Sequence, residues 1–136
     1  MSNITQVVNV DKNMTKLKKS VIAAGLNKTL SETGPFTVFA PSDKAFEKLD
    51  KGVLENLLLP ENKIELVELL NRHVIAGKIA FLDLKDGGKL TTVSGKVLLV
   101  QVKDGAVSID GAKVLGEDTQ TSNGIIYSLE TVMLKN

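Results

Sequence analysis

The first third of the chain has apolar residues at helical spacing. Met14, Leu17 and Val21 lie at positions i, i+3 and i+7, which is the spacing of one buried face of an α-helix. The lysines at positions 16, 18 and 19 lie largely off that stripe. Gly25 supplies a helix stop, because glycine readily adopts the left-handed conformation that ends many helices. The pattern predicts an amphipathic helix up to Gly25, with at most one further turn over residues 26–30.

A short run of aromatic and β-branched residues follows this helix. Residues 36–40 read Phe-Thr-Val-Phe-Ala, which predicts a strand with both faces mostly buried. Pro41 ends the strand. Either Ser42 or Asp43 can then cap the next helix by accepting hydrogen bonds from the free amides of its first turn. In that helix we expect three apolar side chains to face inward, those of Ala45, Phe46 and Leu49.

Two further helices are predicted on either side of Pro60. Residues 53–59 form a short apolar segment that ends at Pro60, and proline also suits the first position of the following helix. That helix extends toward His73 and has a broad apolar face that we expect to be buried, consisting of Ile64, Leu66, Val67, Leu69 and Leu70.

From Lys89 onward the pattern changes to strands separated by tight turns. Asp104-Gly105, Asp110-Gly111 and Asn123-Gly124 are strong hairpin signals, because these pairs accept the positive φ angles of tight turns. They separate strand candidates at residues 97–103, 106–110, 112–115, 117–122 and 125–134. Three hairpin turns imply an antiparallel meander rather than a parallel sheet. Helices first and strands last indicate an α+β plan, in a single domain over residues 1–136.

The composition narrows the class of protein. The chain has 136 residues, of which 43% are hydrophobic and 24% charged, as in ordinary soluble domains with one core. Its 17 basic and 16 acidic residues alternate and leave a net charge of +1, whereas nucleic-acid binding needs a concentrated basic surface. No apolar segment approaches the roughly 20 residues of a transmembrane helix. Cysteine is absent, which excludes disulfides and thiolate chemistry.

Three blocks of sequence together resemble the fasciclin family. Residues 34–46 read Gly-Pro-Phe-Thr-Val-Phe-Ala-Pro-Ser-Asp-Lys-Ala-Phe and look like the family's first conserved block. Residues 69–78 are similar to its central block around a Tyr-His pair, and residues 121–134 resemble its closing block. The order and spacing of the blocks match over essentially the whole chain. The resemblance implies a wedge-shaped β-sandwich with several helices, mostly N-terminal, packed on it, an extracellular or cell-surface location, and a role in adhesion or matrix binding.

Two departures from the family pattern limit what the resemblance implies. Arg72 stands where the central block often has tyrosine, although His73 is retained. The integrin-binding domains of animals carry the motif Glu-Pro-Asp-Ile-Met before the closing block. This chain has Gly-Glu-Asp-Thr-Gln at residues 116–120, so that only Asp118 matches. We therefore expect a microbial member of the family with a different ligand.

His73 is the one histidine of the sequence and hence the first candidate for acid–base chemistry. A catalytic base needs a nucleophile within hydrogen-bond reach, and no nucleophile-elbow pattern surrounds Ser42, Thr92 or Ser94. One histidine cannot form a zinc site, and the aspartates do not follow the pattern of a calcium loop. We therefore expect no catalytic residue, no metal and no cofactor. A structural His73 that ties a helix end to a strand is favoured over a surface hot spot made with Arg72.

Four residues are candidates for binding: Arg72, His73, Asp118 and Tyr127. Arginine and tyrosine are enriched at interface hot spots, although a tyrosine on a strand is more often half-buried with its hydroxyl in water. The loops around residues 83–88 and 116–122 are further candidates, because loops often carry recognition.

The favoured function is a non-catalytic, extracytoplasmic adhesion or binding module for a cell-surface or matrix protein or polysaccharide. Weak self-association stays open, and so do two alternatives, a carrier of a small apolar ligand and an enzyme acting on surface polymers. We expect an extracellular, cell-surface or periplasmic location. Residues 1–6 lack the basic and apolar blocks of a signal peptide, so that location would require a leader or anchor outside this sequence.

Overall fold

Five short helices cover most of the first half of the chain. The structure is a computed structural model that describes residues 3–32, 34–49, 52–80 and 83–132, except for the side chains of residues 116–118. The helices are α1 (Ile4–Val10), α2 (Thr15–Ala24), α3 (Asp43–Glu47), α4 (Val53–Leu57) and α5 (Lys63–Asn71). Single 3₁₀ turns occur at Thr29–Ser31 and Pro60–Asn62. In the described part of the chain, no helix is both long and apolar enough to cross a membrane.

Several helix ends follow from local sequence signals. Gly25 ends α2 in the left-handed conformation, as the sequence predicts, and Ser42 caps α3. Helix α1 is not among the predicted helices; its signal is a capping box. The Asn3 side chain accepts from the Gln6 amide, and the Gln6 side chain accepts from the Asn3 amide. The N-cap residue of α2, Met14, provides no side-chain cap, and α4 and α5 also begin without one.

Seven strands form one continuous sheet in the order β2-β1-β7-β6-β5-β4-β3. They are β1 (Phe36–Pro41), β2 (Val74–Ala76), β3 (Lys89–Thr91), β4 (Val97–Lys103), β5 (Ala106–Ile109), β6 (Ala112–Thr121) and β7 (Gly124–Leu129). Strands β3 to β7 form the predicted antiparallel meander. Outside this meander, the early strand β1 pairs in parallel with β7.

Two details of the meander also differ from the prediction. Residues 112–115 and 117–122 were expected to be two strands, but they belong to the single strand β6, whose pairing with β7 is irregular between Leu115 and Thr119. The predicted last strand, residues 125–134, ends at Leu129, and residues 133 and 134 lie outside the described residues. The turn before β7 falls on residues 122 and 123, so that Gly124 is already the first residue of the strand.

The sheet curls into a sandwich with two apolar cores, one on each face of β1 and β7. Alternate residues of these strands face opposite sides. One core joins the strands to the helices and includes Val38, Ile126 and Leu66. The other lies inside the sandwich and includes Phe39 and Tyr127 together with the inward residues of β4 to β6. The architecture is therefore α+β, a β-sandwich with helices packed on one outer face, as the fasciclin resemblance implies.

The predicted buried face of α5 is partly wrong. Leu66, Leu69 and Leu70 are buried, but Ile64 is 81% exposed. Successive residues of an α-helix are about 100° apart, so Ile64 lies about 160° from Leu66, on the opposite side of the helix. The predicted apolar residues of α5 are spread too widely around the helix to fit on one buried face. Ile64 is the one that lies on the exposed side.

Candidate functional site

The central candidates, Arg72 and His73, lie where α5 ends and β2 begins. Arg72 is the C-terminal cap residue of α5. The His73 carbonyl accepts a hydrogen bond from the Phe39 amide of β1, at 2.8 Å. The His73 ring nitrogen Nδ1 lies 2.8 Å from the Leu69 carbonyl oxygen; since a carbonyl only accepts, Nδ1 carries the proton in this contact. The His73 ring thus bonds back to the last turn of α5, and the His73 backbone carbonyl bonds to strand β1 of the sheet.

Burial determines the protonation state of His73. The side chain is 2% exposed, and desolvation lowers its pKa to about 4, with a smaller contribution in the same direction from the Arg72 charge. The hydrogen bond to the Leu69 carbonyl opposes this shift. His73 is therefore neutral at physiological pH and shielded from substrates. This geometry is consistent with the structural interpretation and disagrees with a surface hot spot.

Arg72 is also inside the molecule. It is 8% exposed, and its buried Nε atom has no hydrogen-bond partner in the described part of the chain. The two ion pairs found among the described residues, Lys16–Glu47 and Lys48–Glu130, do not involve it. A side chain that presents so little surface is not an interface anchor in this conformation.

Tyr127 differs from its predicted half-buried state. It is 0% exposed, and its hydroxyl donates to the Ile79 carbonyl instead of contacting water. Its ring stacks on Phe39, with centroids 5.5 Å apart and planes at 21°. Strand β7 lies between two covered layers, so both of its faces are buried, and a partner at the surface cannot reach Tyr127.

The two loop candidates have different outcomes. Residues 116–122 are not a loop but mainly part of β6, and the side chain of Asp118 lies outside the described residues. Residues 83–88 do form a loop, which runs along the edge of β4. The Asp86 carboxylate accepts from the Val102 amide at 3.0 Å, and the Gly87 amide donates to the Val100 carbonyl at 2.8 Å. This loop closes part of a sheet edge that would otherwise expose backbone hydrogen-bonding groups.

An open groove of about 740 Å³, which the sequence does not predict, lies on the outer face of β4, β5 and β6. We call it the outer-face groove; it is lined by Gln101, Lys103, Ala106, Ser108 and Lys113, with Asp86, Val102 and Asp104. The period-two alternation of β4 could have identified the outward side chains, because odd-numbered residues 97–103 are exposed. The sequence could not show that three strands place such residues side by side.

The structure gives less support to a metal site or to a pocket for a small molecule. Among the described residues, no group of three or more His, Cys, Asp or Glu side chains could hold a metal ion. A cavity between the helices and the sheet, lined by Val21, Val38, Phe39 and His73 among others, measures only about 20 Å³. That volume is about the size needed for one water molecule, far below the ~300 Å³ of a small-molecule pocket.

Comparison with known proteins finds a matching family model and similar sequences. The family model described as "Fasciclin domain" matches residues 12–135. Protein sll1483 of Synechocystis sp. is 41% identical over 131 residues, which are 96% of this chain and 72% of that protein. Protein sll1735 of the same organism is 35% identical over 134 residues and matches over 98% of both chains.

A solved structure has the same fold. It is a FAS1 domain pair from the insect cell adhesion molecule Fasciclin I. The TM-score is 0.88 at 20% identity, over 98% of this chain and 51% of the other. The described chain therefore superposes on about half of that pair.

Proposed function

Because this chain belongs to the fasciclin domain family, we propose that it is a non-enzymatic adhesion or matrix-binding module that works outside the cytoplasm. Family membership over residues 12–135 carries the proposal. The fold that it shares with a domain pair of a cell adhesion molecule adds support. The relatives from Synechocystis agree with the expectation of a microbial member.

The state of His73 supports a non-enzymatic role. A general base works best with a pKa near the operating pH and within hydrogen-bond reach of its substrate. His73 has a pKa of about 4 and is 2% exposed, so it meets neither requirement. An enzyme acting on surface polymers is therefore disfavoured. The cavity of about 20 Å³ likewise argues against a carrier of an apolar ligand.

Three of the four predicted binding residues are buried, so we expect other residues to form the contact surface. Arg72, His73 and Tyr127 are at most 8% exposed, so we assign binding to outward-facing side chains of the sheet. Asp118, on β6, stays a candidate. The partner class is a cell-surface or matrix protein or polysaccharide, and the location is extracellular, cell-surface or periplasmic. Weak self-association stays open as well.

The proposal is tested by binding of the labelled, purified domain to intact cells of the source organism. We expect saturable binding that unlabelled domain displaces. Heat-unfolded domain serves as the control for nonspecific adsorption. In parallel, surface protease treatment of intact cells should remove the native protein. A domain that binds neither cells nor isolated surface material, in an organism whose native protein stays inside the cytoplasm, would contradict the proposal.

A further inference from the structure

The outer-face groove follows from the sizes of side chains on three neighbouring strands. Its floor is β5, where the outward residues Ala106 and Ser108 are small. Ser108 pairs with Gln101 of β4 on one side and with Lys113 of β6 on the other. Long side chains on both flanks and short ones between them leave a trough along the central strand. Its volume of about 740 Å³ is within the ~300–1,000 Å³ typical of ligand sites.

The groove stands on a rigid support. The residues that alternate with its lining are core residues of the sandwich, among them Val100, Val107 and Ile109, each at most 5% exposed. At one side, the Asp86 carboxylate accepts from the Val102 amide. At one end, Asp104 has a φ of 52° in a tight hairpin turn. A site on regular strands with fixed turns is preorganised, so a ligand loses little affinity to ordering the protein.

The charges of the groove are balanced but not paired with one another. Two lysines, Lys103 and Lys113, and two aspartates, Asp86 and Asp104, line it. No ion pair within 4.0 Å joins a groove lysine to a carboxylate of the described residues. The ammonium groups therefore offer donors and the carboxylates offer acceptors to a ligand, and Gln101 offers both.

We propose that the outer-face groove binds a neutral, polyhydroxylated glycan, an inference that rests on the proposed binding function and names its ligand class. Each sugar hydroxyl both donates and accepts, so it can bond to lysines and aspartates alike. Hydrogen bonds to charged groups are about twice as strong as neutral ones. The charges of the four ionised side chains sum to zero, which gives an acidic polymer no net attraction.

The lining also determines how the glycan is held. Among the residues that the structure describes, no aromatic side chain lines the groove, so the binding argued here relies on hydrogen bonds rather than on stacking against sugar rings. Val102 and Ala106 supply the small apolar surface against which the C–H faces of a sugar can lie. Binding depends on the charged side chains and on the free space above Ala106, and both can be altered by substitution at exposed positions.

The experiment is native affinity gel electrophoresis in gels that contain dextran, hydroxyethyl cellulose or galactomannan, with polygalacturonate as the acidic comparator. Ala106→Trp fills the groove from its exposed floor. Ala23→Trp is the matched control, because Ala23 is an exposed alanine on α2, away from the sheet. The double variant Lys103→Met with Lys113→Met keeps the side-chain stems and removes the ammonium groups. Its control is Lys28→Met with Lys44→Met, two exposed lysines on the helical side.

We expect retardation by at least one neutral polymer, loss of that retardation in Ala106→Trp, and a decrease in apparent affinity of about tenfold or more in the groove double-lysine variant. Both controls should migrate as the unaltered domain does. Absence of retardation by all three neutral polymers, stronger retardation by polygalacturonate, or equal retardation of Ala106→Trp and the unaltered domain would each overturn the inference.

The cell-binding assay separates this inference from the proposed function. If Ala106→Trp binds intact cells as well as the unaltered domain does, the groove assignment fails while the proposed function stands. If the unaltered domain is retarded by a neutral polymer but neither binds cells nor occurs at the cell surface, the groove assignment stands and the proposed function fails.

Discussion

At the residue scale, Asn123 shows how one polar side chain can hold distant segments together. Its Oδ1 accepts from the Ile4 amide at 2.9 Å, and its Nδ2 donates to the Leu30 carbonyl at 2.7 Å and the Glu32 carbonyl at 2.8 Å. The side chain is 9% exposed. It thereby satisfies backbone groups at the start of α1 and around a 3₁₀ turn, which would otherwise be buried without partners.

We predict that Asn123→Ala lowers the free energy of unfolding by at least about 2 kcal/mol, because it leaves several buried backbone groups unpaired. Urea unfolding followed by circular dichroism measures the change. Asn9→Ala, at an exposed position of α1, is the control and should unfold close to the parent. An Asn123→Ala variant with the parent's midpoint would show that these hydrogen bonds contribute nothing to stability.

The buried His73 makes stability depend on pH. Its pKa falls from 6.5 in the unfolded chain to about 4 in the folded protein, so the unfolded state binds more protons between these values. Stability is full above pH 6.5 and decreases as the pH falls toward 4, by on the order of 3 kcal/mol in total. Urea midpoints at pH 7, 6, 5 and 4.5 measure this decrease. His73→Gln should lack most of it, and an identical pH profile in that variant would contradict the assignment.

At the element scale, a cap for one helix comes from the start of another. Helix α2 has no acceptor at Met14, but the Asp43 carboxylate accepts from the Lys16 amide at 2.8 Å and from the Thr15 hydroxyl at 2.7 Å. Desolvation raises the pKa of Asp43, but these hydrogen bonds outweigh it and the net shift is downward. The carboxylate also lies at the positive end of the α2 dipole.

We predict that Asp43→Ala lowers the free energy of unfolding by about 1–2 kcal/mol, the usual cost of a lost N-terminal cap. Because the folded pKa is depressed, the difference from the parent should be full at neutral pH and shrink below pH 3.8. Thermal unfolding at pH 7 and pH 3 measures it. Glu61→Ala is an exposed carboxylate control, and an equal change in both variants would argue against capping.

At the scale of the whole molecule, β1 and β7 belong to both cores. Val38 and Ile126 face the helical core, whereas Phe39 and Tyr127 face the core inside the sandwich. The parallel pairing of these strands therefore makes one element pair a wall of each core. Loss of either core removes packing from the other, which favours a single cooperative transition.

We predict that two probes report the same unfolding midpoint. Tyr127 is the one tyrosine, and the chain has no tryptophan, so intrinsic fluorescence reports the inner core, while circular dichroism at 222 nm reports mainly the helices. The two urea curves should coincide, both for the parent and for Leu66→Ala, a substitution in the helical core. A Tyr127 transition that persists after the helices have unfolded would show that the two cores are independent.

The sequence by itself determined the features that depend on neighbouring residues. It located β4 at residues 97–103, the stop of α2 at Gly25 and the tight turns at residues 104–105 and 110–111, where the structure has positive φ angles. It also placed Phe39 in a buried strand. These features follow from side-chain periodicity and backbone preference within a few residues, which any window of the sequence contains.

One prediction combined a correct location with a wrong reason. Asn123-Gly124 does mark the hairpin, but among the described residues neither position has a positive φ. Gly124 is required because a Cβ atom there would collide with the Phe36 carbonyl oxygen of the parallel strand. The constraint comes from a strand 88 residues earlier in the chain, the difference between positions 124 and 36, and the local sequence does not contain it.

Only the tertiary structure decided the burial of Arg72 and Tyr127, the exposure of Ile64 and the existence of the outer-face groove. Each depends on which elements pack against each other. The Ile4–Asn123 hydrogen bond joins residues 119 positions apart, and β1 pairs with β7 although the whole meander lies between them in the chain. Local preference sets the elements, whereas the free energy of burying their faces together sets the partners. The side chains left outside by that choice form the surface available for binding.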